Sequence, residues 1–99
     1  MKSGLALLAT LSLAATSAQA TEALYTCATS GAVKADFSEP GTMPGNVLLT
    51  FEATGTTMDL PQVVSADGGR YADDKVEFWI KGNEATLTRD GEGETCKTN

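Results

Sequence analysis

Beyond residue 20, hydrophobic and polar positions alternate over short runs, and no stretch carries apolar residues at helical spacing. Val47, Leu49 and Phe51 fall on one face of an extended segment. Val76, Phe78 and Ile80 do the same, which puts Lys75, Glu77, Trp79 and Lys81 on the opposite face. Read this way, the chain predicts strands at 23–27, 33–37, 47–52, 56–60, 62–65, 75–80, 84–88 and 94–97. Between them lie turn-forming residues: Ser30-Gly31, the Pro- and Gly-rich 39–46, Gly55, Pro61, a polar 66–74 loop, Gly82-Asn83 and 90–93. Short strands at hairpin spacing mean an all-β protein. Eight antiparallel strands close into a barrel just wide enough for side chains to fill. The expected fold is therefore a small antiparallel eight-stranded β-barrel forming a single domain over 21–99, without internal repeat or linker.

The first 20 residues read as a leader rather than as structure. Lys2 supplies a short positive region, 4–15 are apolar but too short to span a bilayer, and Ala18-Gln19-Ala20 is a small-x-small cleavage site. Cleavage is expected after Ala20, with export to the periplasm and no membrane insertion. Leu24-Tyr25-Thr26 ahead of Cys27 lacks the small residues of a lipoprotein box, so lipid attachment at Cys27 is not expected. An exported chain with two cysteines predicts one disulfide, Cys27–Cys96. A bridge closing nearly the whole domain stabilises it by about 4 kcal/mol on the chain-entropy account. Removing the leader takes Lys2 with it, so 13 acidic residues face six basic ones and the net charge of −6 becomes −7. That balance argues against nucleic acid or an anionic membrane face and favours a basic partner.

Signals for catalysis are poor. The chain has no histidine, so Ser65 has no base to activate it and a Ser-His-Asp arrangement is excluded. Asp67, Asp73, Asp74 and Glu77 offer carboxylate pairs for glycoside cleavage, but a barrel filled by its own side chains leaves little room for a substrate cleft. Asp90, Glu92 and Glu94 lack the spacing of a calcium loop and read as a solvated turn. No enzyme activity, cofactor or metal is expected. The stretch 65–82 is the most informative: Gly68-Gly69 permits a positive φ and close backbone approach, and a polar loop leads into the strand bearing Trp79 and Lys81. Tyr71 fits either a core-capping aromatic or a contact residue.

Taken together, Tyr25-x-Cys27, a glycine-bearing loop ending in Tyr71, Phe78-Trp79-x-Lys81-Gly82, Ala85-x-Leu87 and a terminal Cys96 resemble the bacterial inhibitors of c-type lysozyme, which occur in membrane-bound and periplasmic versions. The likeness extends over essentially the whole of 21–99, and the missing lipidation signal is similar to the periplasmic version. The resemblance implies a small disulfide-bonded barrel whose loop enters the lysozyme cleft. There, a serine of a Ser-Gly-x-x-Tyr motif and a lysine of the Phe-Trp-x-Lys-Gly block meet the catalytic carboxylates. The lysine carries over directly as Lys81. The serine does not, because the motif here reads Asp67-Gly68-Gly69-Arg70-Tyr71, with Ser65 two residues earlier. A hydroxyl donates and accepts, whereas an aspartate carboxylate only accepts. The implied contact set is Asp67, Gly68, Gly69, Arg70, Tyr71 and Lys81, with Ser65 in reserve. The expected partner is c-type lysozyme, a basic protein, and a homodimer stays open. Two other readings remain: a non-inhibitory envelope β-module with a structural or adaptor role, and a degenerate sugar-binding domain using Trp79 and Tyr71.

Overall fold

The computed structural model describes residues 21–98, and the expected leader at 1–20 with its cleavage point lies outside them. The eight strands are β1 Thr21–Cys27, β2 Gly31–Phe37, β3 Asn46–Phe51, β4 Thr56–Val63, β5 Gly69–Ala72, β6 Val76–Lys81, β7 Glu84–Arg89 and β8 Glu92–Thr98. Each pairs antiparallel with the next, and β1 pairs with β8, so the sheet closes into the expected barrel.

The alternation carries straight into the core. Tyr25, Val33, Ala35, Val47, Leu49, Phe51, Leu60, Phe78, Ala85 and Leu87 point inward and are buried together with both cysteines. Among the described residues no polar or charged side chain is fully buried. Burying an aliphatic or aromatic side chain of this size stabilises by about 1.5–3 kcal/mol. Tyr25 meets Phe78 edge-to-face at 5.2 Å, an arrangement that suits the ring quadrupoles. β1 and β8 share only the pairs Tyr25–Thr98, Thr26–Lys97 and Cys27–Cys96 among the described residues. The Cys27–Cys96 disulfide sits at the end of this short ladder and covalently fixes the seam that closes the barrel.

Eight strands were expected and eight are present, but the set differs. The two strands expected at 56–60 and 62–65 are one strand, β4, running through Pro61. The Gln62 N–H donates toward β3, to the Gly45 carbonyl at 2.9 Å, so the Pro61 nitrogen points the other way. There β4 pairs with β5 only at Gln62–Tyr71 and Val63–Arg70. No ladder hydrogen bond is lost, and the proline is tolerated. The strand the pattern hides is β5, inside the expected 66–74 loop.

The expected solvated turn near 90–94 is more structured than its composition suggests. The Glu94 carboxylate accepts from the Thr29 N–H at 2.6 Å, the Ser30 N–H at 2.8 Å and the Ser30 hydroxyl, fastening the β1–β2 turn to β8. Arg89 supports Ser30 from the other side with a 3.0 Å hydrogen bond, and its guanidinium lies over the Phe51 ring. Burial raises the Glu94 pKa, but these hydrogen bonds and the Arg89 charge outweigh it, so the carboxyl sits below its usual range.

Strand directions divide the connections between the barrel ends. The 28–30, 52–55, 73–75 and 90–91 turns lie at one end, and 38–45, 64–68 and 82–83 at the other.

Candidate functional site

The end bearing 64–68 gathers most of the residues singled out in the sequence. Here β5 and β6 form a hairpin whose register pairs Gly69 with Ile80, Arg70 with Trp79 and Tyr71 with Phe78. Because sides alternate, Tyr71 shares the inner face with Phe78, while Arg70 and Trp79 stand together on the outside. Lys81, two residues past Trp79, joins that outer row.

Gly68 is where the loop touches the strand. Its φ is +69°, and a Cβ built on it would lie 1.9 Å from the Ile80 carbonyl oxygen and 3.4 Å from Lys81 Cγ. A side chain is excluded both by the backbone conformation and by a neighbour that cannot move aside. The glycine lets the loop backbone lie against β6 next to the lysine stem.

Asp67 is held by its backbone and free at its side chain. Its carbonyl accepts from the Ser65 hydroxyl at 2.6 Å and from Trp79 Nε1–H at 2.8 Å. Its own N–H donates to Ser65 Oγ at 3.2 Å. Asp67 itself is exposed, and its carboxylate makes no ion pair or hydrogen bond among the described residues. Ser65 is therefore turned back into the loop as a local hydroxyl clasp of the kind serine often makes in turns.

Two cations flank the Trp79 ring. Lys81 Nζ lies 4.5 Å from the ring centroid, and the Arg70 guanidinium lies 5.1 Å away. They are not equivalent. Arg70 Nε donates to the Glu77 carboxylate at 2.6 Å, and its Nη1 reaches the Val64 carbonyl at 3.4 Å, so its charge is already partnered. Lys81 is exposed and has no carboxylate partner among the described residues. Tyr71 packs against Phe37 at a 5.6 Å ring separation, supporting the loop from inside the barrel mouth. Burial raises its phenol pKa.

The structure thus brings Asp67, Gly68, Gly69, Arg70 and Lys81 together at one barrel end. It places Tyr71 inward and Ser65 in the loop's own hydrogen bonds. Trp79 was expected on the Lys81 face, either covered by the 66–74 loop or partly exposed, and it is bonded to that loop; its hold on Lys81 and the pairing of Glu77 with Arg70 were not foreseen. Alternation had already put both residues on the Lys81 face, but recognising their contacts needed the register of β5.

Fold and site define a small disulfide-stapled β-barrel that displays a braced, charged loop at one end. The family of membrane-bound lysozyme-inhibitors of c-type lysozyme matches residues 25–95, and the chain belongs to that family. A curated relative, the membrane-bound lysozyme inhibitor of C-type lysozyme of Yersinia enterocolitica serotype O:8 / biotype 1B, is 47% identical over 36 residues. That match takes in 36% of this chain and 31% of the relative. Among solved structures, Pseudomonas aeruginosa MliC, crystallised in complex with hen egg white lysozyme, is similar with a TM-score of 0.65 and 27% identity. The likeness covers 96% of this chain and 99% of that one.

Proposed function

We propose that this protein binds and inhibits c-type lysozyme, occluding the active-site cleft with the 65–71 loop and Lys81 and forming no covalent bond. The observation that carries the reading is the pairing of a backbone-pinned loop tip with a lysine resting on Trp79. Both are offered at one end of the barrel, in a family with a solved member seen with hen egg white lysozyme. Lys81 is the cation suited to the cleft carboxylates. Gly68 and Gly69 keep the loop slim enough to approach closely, and Arg70 and Tyr71 support it from outside and inside. The non-inhibitory envelope module is not favoured, because an idle loop has no need for a clasp, an indole tether and an unpartnered lysine.

The same proposal takes in location: export behind a leader cleaved after Ala20, with the mature chain in the periplasm. Cys27 is bonded to Cys96 and so is not a lipid-bearing thiol.

The test is inhibition of hen egg white lysozyme by the exported form of the chain and by Lys81→Ala. Charge-assisted hydrogen bonds contribute about 1.5–3 kcal/mol, so the variant should inhibit at least about tenfold more weakly with its thermal midpoint unchanged. A wild-type chain without inhibitory activity would sink the proposal.

A further inference from the structure

We propose that Trp79 is a positioning residue: its indole N–H pins the loop tip while its ring seats Lys81, holding the two as one preorganised unit. The inference rests on the lysozyme-inhibitor reading above, and assigns the device that gives that site its shape before a partner arrives.

Trp79 stands on the outer face of β6, where a large aromatic contributes nothing to the barrel core. It nonetheless reaches 12 residues back along the chain to donate to the Asp67 carbonyl at 2.8 Å. The Ser65 hydroxyl donates to the same oxygen at 2.6 Å, so both of its acceptor positions are filled. A carbonyl gripped by two donors fixes the peptide plane, and with it the direction in which the Asp67 side chain leaves the loop. The ring meanwhile holds Lys81 Nζ at 4.5 Å. Arg70 closes the far flank, but its charge is taken by Glu77, leaving Lys81 as the cation on offer. A free lysine has many rotamers to lose when it is captured, and a free glycine loop has many backbone states. Holding both beforehand reduces that loss on binding. Trp79 therefore strengthens inhibition through Asp67 and Lys81, whether or not its own atoms touch lysozyme.

Trp79→Phe keeps an aromatic ring, though a smaller one, and removes the N–H, while Trp79→Leu removes both. Trp79→Phe should weaken lysozyme inhibition by about fivefold, the share of one neutral hydrogen bond, mainly through faster dissociation. Trp79→Leu should weaken it by about tenfold or more. Lys81→Ala should then lose less in the Trp79→Leu background than in the wild type, because the two act as one unit. Purely additive losses, or a Trp79→Leu variant that inhibits like the wild type, would overturn the proposal. Amide hydrogen exchange of the isolated protein separates this from the functional reading. Residues 66–68 should exchange faster in both Trp79 variants while the β2 and β3 amides keep their protection. Unchanged loop exchange would overturn the brace even if inhibition holds. A wild type that fails to inhibit, with loop exchange responding as expected, would overturn only the lysozyme reading.

Discussion

Asp67 is the residue that sets this chain apart from the motif it otherwise follows. The hydroxyl of the neighbouring Ser65, held in reserve for the motif serine, is engaged with the Asp67 backbone. A carboxylate facing the cleft carboxylates is attracted only while the general acid there keeps its proton and donates it. Wild-type inhibition should therefore weaken as pH rises from about 5 to 8, and Asp67→Ser should restore strength by roughly tenfold at the upper end and flatten the profile. Inhibition constants across that range decide it; identical profiles would show that Asp67 does not face the carboxylates. Asp67, the glycine pair and Lys81 were legible in the sequence because a motif of fixed spacing names them. Tyr71 stood open between a core cap and a contact residue, and the inward turn of Ser65 was not legible, since each depends on the pairing of a strand whose presence its own residues do not announce.

That strand is β5. Gly69-Arg70-Tyr71-Ala72 has one β-forming side chain in four residues, and its glycine and arginine look like continuation of the loop. Its conformation comes from its neighbour, because β6 supplies register partners for all four residues. The strongly alternating β3 and β6 were readable because burial on one face imposes a period of two on the sequence itself. Pro61, expected either to end a strand or to mark an edge, ends one only where its missing N–H is needed. At the far end of the barrel the β1–β2 turn depends on one carboxylate. The folded Glu94 has a lowered pKa, so between the folded and unfolded values the unfolded chain binds the extra proton and stability rises with pH. The contribution is complete above the unfolded value and lost as pH falls through the folded one. The melting-temperature advantage of wild type over Glu94→Gln should hold steady above about pH 6 and shrink below about pH 4. An advantage independent of pH would show that the carboxylate's charge plays no part in holding the turn.

On the scale of the whole molecule, closure and charge matter most. The barrel and its disulfide were both legible, because hairpin spacing and two cysteines behind an expected leader leave few alternatives. A bridge across 69 residues of sequence contributes about 4 kcal/mol on the chain-entropy account, and it lies where the closing ladder is short. The 13 acidic residues give a field that favours encounter with a basic partner, and on the proposed reading Lys81 then meets it at the cleft. Association with lysozyme should slow several-fold between about 50 and 500 mM salt, with dissociation much less affected. Stopped-flow or surface-binding kinetics would show it, and a salt-independent association rate would rule out steering. The central claim is that the loop and Lys81 occupy the cleft itself. Its most direct test is competition: lysozyme binding to this protein titrated against an N-acetylglucosamine oligosaccharide that fills the cleft. The apparent dissociation constant should rise linearly with the oligosaccharide concentration, and a constant that does not move would place the protein elsewhere on the enzyme.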